Sequence, residues 1–315
     1  VTFDNRITRM LGIDIPIANA PMGGVVTRDL VGAVAEAGAL GVLPSAMTRD
    51  RDHIRAVRDL TARPLGANIH VGVAEKISPE MYVEEGIRFV STCIGPVPKN
   101  VPQMQAAGLK VFHVVTSLEE AQLAADAGVD GLVVEGFEAA ARRGEAEIPL
   151  MVLLPLITSR IDLPVIAAGG ISDGAAMAAA FALGAEGVSM GTRMIASAEA
   201  AVHDNYKQAV VSGTATDTIV LDRHLHRPMR VLRTPTTSRV LDSATGDSFK
   251  ELVPTIFDLY SGGDMAASFA CLGMVAGRID DVRPVAEIIR ATVEEFGAIV
   301  TRLANHYGLS ADASV

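Results

Sequence analysis

Two glycine-terminated runs carry the first chemical signal in this 315-residue chain. Pro164-Val165-Ile166-Ala167-Ala168-Gly169-Gly170-Ile171 is followed, one helix later, by Gly187-Val188-Ser189-Met190-Gly191-Thr192-Arg193. Each reads as a short apolar strand that ends in glycine and runs into a helix. Bare backbone N–H groups at such an end point at an anion, and the helix start adds its positive dipole. The last two strands of a (β/α)8 barrel hold a phosphate with two such ends in succession. The pair therefore predicts a phosphorylated cofactor.

Other residues fall at strand ends where a flat ligand would lie. Ala20-Pro21-Met22-Gly23 combines small residues with a soft thioether, although Met22 also suits plain packing. Asn68 follows Gly66-Ala67 and offers a donor and an acceptor to a heterocycle edge or to nearby backbone. His113 lies inside an apolar run and reads first as a satisfied core histidine. Glu135 opens the stretch Glu135-Gly136-Phe137-Glu138-Ala139-Ala140-Ala141-Arg142-Arg143. A carboxylate followed by small residues and two arginines suits phosphate or carboxylate recognition. His224 and His226 stand two apart beside Asp222 and Arg223 and are candidates for touching substrate. No partner follows them at metal-ligand spacing, so no metal is expected. A Walker loop, a G-x-S-x-G elbow and a strand-then-G-x-G-x-x-G fingerprint are all absent from the sequence.

The elements that must position these residues repeat. Alanine-rich helical stretches close on Ala37-Gly38, Ala107-Gly108, Ala127-Gly128 and Leu183-Gly184, each followed by an apolar run. Glycine suits the left-handed residue just past a helix. The strands expected are Pro16 to Ala20, Gly41 to Ser45, Leu65 to Ile69, Phe89 to Thr92, Val111 to Val115, Gly131 to Glu135, Val165 to Ala168, and Gly187 to Met190. Apolar on both faces and alternating with helices, they imply a parallel sheet with covered faces. The fold class expected is α/β, a (β/α)8 TIM barrel with an inserted, mostly helical second domain. The barrel takes residues 1–200 plus 284–315, and a strand-free helical lid takes 201–283, with helices at Glu199 to Ser212, Phe249 to Leu259 and Met265 to Val275. A loop or short lid spans His70 to Glu84, and a last helix runs from Pro284 to Tyr307.

Composition narrows the class. A net charge of −10 argues against nonspecific nucleic-acid binding. Cys93 and Cys271 are the only cysteines and form neither a disulfide framework nor a zinc spacing. No stretch has the length of a membrane span without charges or glycines, and no signal peptide is evident. A cytoplasmic enzyme of small molecules is expected, without nucleic acid or membrane insertion; a homodimer is left open.

The chain resembles the nitronate monooxygenase (2-nitropropane dioxygenase-like) flavoproteins, nearest to their bacterial NADH:quinone reductase subgroup. The matching stretches are Ala20-Pro21-Met22-Gly23, Gly66-Ala67-Asn68, Gly136-Phe137-Glu138-Ala139, Glu147-Ile148-Pro149 with Val152-Leu153-Leu154-Pro155, Ala167 to Gly174, Gly184 to Arg193, and Gly273-Met274-Val275-Ala276-Gly277. The resemblance implies FMN bound noncovalently, with NADH or NADPH as co-substrate. Its cofactor positions fall on Ala20, Pro21, Met22, Gly23, Asn68, Glu135, Ala140, Ala141, Ala168, Gly169, Gly170, Met190, Gly191 and Thr192.

One departure bears on chemistry. Where the family has Gly-Gly-His or Ala-Gly-His, this chain has Ala140-Ala141-Arg142. The histidine is the family's acid/base candidate, and a guanidinium takes no proton at neutral pH. Arg142 is thus the catalytic candidate in altered form, able to hold an anion but not to abstract a proton. Val114 stands where the reductase subgroup has a lysine. The first expectation is an FMN-dependent NAD(P)H reductase of a quinone or another conjugated acceptor. The others are a nitronate monooxygenase, a flavin enzyme for an anionic or CoA-linked substrate held by Arg142 and Arg143, and a non-catalytic FMN-binding protein.

Overall fold

A computed structural model describes residues 1–243 and 246–308. Eight parallel strands form the barrel: β1 (Ile17–Asn19), β2 (Gly41–Leu43), β3 (Leu65–His70), β4 (Ile87–Cys93), β5 (Lys110–Val115), β6 (Gly131–Glu135), β8 (Val165–Ala168) and β9 (Gly187–Met190). They pair in the order β1-β9-β8-β6-β5-β4-β3-β2, and a parallel bridge from Ala18 to Leu40 joins the two ends. At that seam the Asn19 side chain substitutes for a missing ladder. Its Nδ2 donates to the Val42 carbonyl at 2.9 Å, and its Oδ1 accepts from the Val42 amide at 2.8 Å.

Alternate residues face opposite sides of each strand. Val42, Phe89, Phe112, Val133 and Ile166 fill the barrel, with Ile7 and Leu11 of the helix Arg6–Leu11 as its floor. Leu43, Leu65, Val90, Val111, Val134, Val165 and Val188 face outward into the layer under the helices. Burying each such side chain contributes roughly 1.5–3 kcal/mol before entropy is set against it. The polar ends of β3, β4 and β6 are left at the opposite, C-terminal mouth.

The eight strands occur where expected, three with the expected ends and the others shifted by at most two residues at either end. The region after β9 differs from expectation. It contains a hairpin, β10 (Thr218–Leu221) with β11 (Met229–Leu232), to which β7 (Ala141–Arg142) adds as a third antiparallel strand. The β-branched runs Thr218-Ile219-Val220 and Val231 favour strand over helix, and Asp222 and His226 turn the chain in the left-handed region. Helix Phe249 to Leu259 is broken at Pro254 into Ser248–Leu252, a 3-10 turn Val253–Thr255, and Ile256–Tyr260. Met265 to Val275 is irregular apart from a 3-10 turn at Met274–Arg278. Between β3 and β4 lie two short helices, Val71–Ala74 and Pro79–Glu84. The last helix, Val285–His306, packs on the helices Gly174–Ala182 and Arg28–Glu36 of the barrel wall.

Candidate active site

The turn leaving β8 places two glycines of positive φ at the barrel mouth. Gly169 and Gly170 both have positive φ, +95° and +73°, which turns their amides outward past the end of β8. A Cβ on Gly169 would crowd Ala139, and one on Gly170 would crowd Glu138. The amides of Gly169, Gly170 and Gly191 donate to no acceptor among the described residues. Such donors need a partner, and a phosphate supplies one. Thr192 opens the helix Thr192–Ile195, and its Oγ1 accepts the Gly273 amide at 3.1 Å, leaving its proton to give. This donor set fits the phosphate of FMN.

Around the cradle, Ala20 donates its amide to Met190 at 2.8 Å, bringing β1 and β9 together at the mouth. Pro21, Met22 and Gly23 follow, with the Met22 sulfur beside Gly191. Ala168 ends β8 next to Glu135 of β6. Asn68 is buried and bound within the barrel: its Nδ2 donates to Ser91 Oγ at 2.9 Å and to the Ser91 carbonyl at 3.2 Å. Ala140 lies in the loop after β6, and Ala141 begins β7. Ala141 has φ +63°, the left-handed conformation that suits the glycine implied at this position by the resemblance.

The charged residues separate into distinct roles. Arg142 is half-buried, with its guanidinium 5.2 Å from the centre of the Phe249 ring. Arg143 is only 8% exposed; its Nη1 donates to the Ala139 carbonyl at 3.2 Å, and its guanidinium lies 4.2 Å over the Phe137 ring. Arg230 stacks on that same ring at 4.7 Å. Burial and then Arg230 push the Arg143 pKa down to about 10, so it remains a cation at neutral pH. Its Nε and Nη2 have no partner among the described residues. The Glu135 carboxyl is raised to about 7, chiefly by burial, against the attraction of Arg143.

Two residues join the mouth that the linear sequence gave no reason to group. His70 ends β3 with its ring at the surface; burial of its inner edge, then the charges of Arg49 and Arg142, lower its pKa. A cationic rim of Arg49 and Arg142 thus surrounds a neutral imidazole. The histidines of the insert take different partners: His224 Nε2 is 3.0 Å from the Gly246 carbonyl, and His226 Nδ1 is 2.7 Å from Glu145, both exposed. His113 is buried, its Nδ1 2.7 Å from Thr92 Oγ1. No cluster of metal-ligating side chains occurs among the described residues, and no helix is long and apolar enough to cross a membrane.

Comparison with known proteins gives the family of the chain. A nitronate monooxygenase family model matches residues 4–295. A nitronate monooxygenase from Pseudomonas aeruginosa is 31% identical, over 92% of this chain and 99% of its own length. A Rhodococcus jostii enzyme named (3aS,4S,5R,7aS)-5-hydroxy-7a-methyl-1-oxo-octahydro-1H-indene-4-carboxyl-CoA dehydrogenase is 33% identical over 74% of this chain and 67% of its own. Among solved structures, FabK from Thermotoga maritima superposes with a TM-score of 0.91 at 36% identity, covering 97% of this chain and all of that one. The chain belongs to the nitronate monooxygenase family and is an FMN-dependent oxidoreductase.

Proposed function

We propose that the protein is an FMN-dependent NAD(P)H reductase of a conjugated acceptor carried on an anionic handle, of which a CoA thioester is the type. The observation that carries this reading is the cationic mouth, with Arg142 where the family resemblance gives histidine and both Arg49 and Arg142 acting on His70. Gly169, Gly170, Gly191 and Thr192 would hold the FMN phosphate. Ala20, Pro21, Met22, Gly23, Asn68, Glu135, Ala140, Ala141, Ala168 and Met190 would line the rest of its site. Bound FMN would supply two-electron transfer between pyridine nucleotide and acceptor. The chain's own part is then orientation: Arg142 draws in the anionic end, and the insert 201–283, proposed as a lid with its His224 and His226, narrows the mouth. The CoA-thioester name of the Rhodococcus relative supports an acyl-thioester acceptor over a free quinone.

A second reading is nitronate oxidation, favoured by the Pseudomonas relative. Arg142 suits an anion that is already formed, whereas a neutral nitroalkane would need a base.

Anaerobic stopped-flow absorbance tests both. NADH or NADPH should bleach the flavin, and an enoyl-CoA should restore its colour faster than an uncharged quinone. Arg142→Ala should raise the KM for the CoA acceptor about 10-fold or more, the loss of one charge-assisted hydrogen bond, with flavin bleaching unchanged. Bleaching by a nitronate alone would establish the second reading and overturn the first.

A further inference from the structure

We propose that Glu135 is the acid that gives a proton to the bound substrate, the duty that the family resemblance assigns to a histidine where this chain has Arg142. The inference rests on the reductase reading above. Its placement comes from strand alternation. Val133 packs inside the barrel with Phe112 and Ile166, so Glu135, two residues further along β6, faces the barrel axis at the mouth. It pairs in register with Ala168, the residue before the Gly169-Gly170 cradle. No side chain or amide hydrogen-bonds its carboxyl among the described residues. A carboxyl there does nothing for the barrel and is costly to bury without a partner.

The charged and titratable groups around it come from three elements: Arg143 from the loop after β6, Glu120 from the helix Leu118–Asp126 after β5, and Cys93 at the end of β4. Glu120 is occupied by the amide and hydroxyl of Thr116. Arg143 is the buried cation, with two N–H groups unpartnered. Transfer breaks the Glu135 O–H bond and forms a bond from that proton to the substrate atom that gains negative charge. Arg143 stabilises the carboxylate left behind until water returns a proton. The electron pair comes from the pyridine nucleotide of the proposed reaction, so no other reductant is required.

Neither nearby imidazole serves as well. His113 is one residue out of phase with Phe112, which faces inward, and is bound to Thr92. His70 has its charged form opposed by burial, Arg49 and Arg142 and has no extra proton to give at neutral pH.

The test uses the flavin-loaded protein as wild type, Glu135→Gln, Arg143→Met and His70→Gln. Visible absorbance of the resting oxidised flavin is titrated between about pH 5 and 9, and kcat is measured over the same range. Wild type should show one transition near about 7 in both. Glu135→Gln should abolish it and lower kcat by roughly 10²–10⁴-fold, while the flavin that remains bound is still bleached by pyridine nucleotide. Arg143→Met should move the transition to higher pH, since the guanidinium favours the carboxylate. Should Glu135→Gln lose its flavin, the direction of the Arg143→Met shift decides. A transition that persists without Glu135, or disappears only with His70→Gln, overturns the proposal. The absorbance titration needs no turnover, so its failure is distinct from that of the reductase reading, which would be no bleaching by either nucleotide.

Discussion

In the proposed function Arg142 binds charge and moves no proton, because a guanidinium stands where the family resemblance gives an imidazole. Two residues nearby in the chain, Glu135 at the end of β6 and Ala141 at the start of β7, carry energetic costs of their own. Glu135 holds its proton more tightly folded than unfolded, about 7 against an ordinary 4.5. Folding therefore takes up a proton between those values; the carboxylate's cost is absent below 4.5 and complete above 7. Each pKa unit corresponds to about 1.4 kcal/mol. Glu135→Gln should accordingly raise stability at pH 8 by about 3 kcal/mol and leave it unchanged at pH 4, measured by urea unfolding at both. Ala141 illustrates a different cost. At φ +63° an L-residue is disfavoured by about 1–2 kcal/mol, whereas glycine adds about 0.5–1 kcal/mol of unfolded-state entropy. Ala141→Gly should be neutral to stabilising by up to about 1 kcal/mol; a loss of stability would show that the loop relaxes when glycine is introduced.

The element that matters most is the turn leaving β8. Its two unpartnered amides, those of Gly169 and Gly170, exist because positive φ at both residues rotates them away from the ladder. A Gly170→Asp chain would add strain, a clash with Glu138 and a negative charge facing the phosphate. Purified protein should lose FMN, seen as at least a 10²-fold weaker Kd by fluorescence titration; stoichiometric flavin would remove the phosphate site from this turn. This element was legible in the sequence because its signal is local: apolar run, glycines, helix start. The eight strands were legible for the same reason. The third sheet strand was not. Ala141–Arg142 is two residues long, without periodicity, and exists only because Met229 and Arg230 arrive opposite it from far along the chain. The same holds for the rim, where Arg49 comes from the turn after β2, His70 from the end of β3 and Arg142 from β7. Residue type could nominate Arg142, but only the closed barrel brings the three together. Asn19 belongs to this class as well, since its role depends on the seam between β1 and β2.

At the scale of the whole molecule, the chain leaves the barrel after β9, builds the insert, and must return to cover the wall with its last helix. Arg193 anchors the departure to the return: its Nη1 lies 3.1 Å from Asp281 Oδ1 and its Nη2 2.6 Å from the Asp281 carbonyl. Asp173, the N-cap of the helix Gly174–Ala182, takes Arg278 from the returning segment at 2.6 Å. Burial pushes the Asp173 carboxyl up, and the Ala176 amide and Arg278 outweigh that and hold it below the ordinary range. The closest approach follows at Gly174, whose amide donates to Glu295 Oε2 at 2.8 Å. A Cβ there would overlap the Phe296 nitrogen and the Thr292 carbonyl oxygen, both backbone atoms of the last helix. Its φ is not positive, so alanine adds no backbone strain and isolates the steric term. Gly174→Ala should destabilise by about 1–3 kcal/mol, the cost of overpacking a well-packed contact. Glu295→Gln keeps a neutral acceptor and should cost only about 1 kcal/mol. Because the displaced helix start follows directly from the Gly169-Gly170 turn, FMN affinity should fall in Gly174→Ala more than in Glu295→Gln. Equal FMN affinity in both would mean that the phosphate turn holds its shape without the last helix, and that the return of the chain serves stability alone.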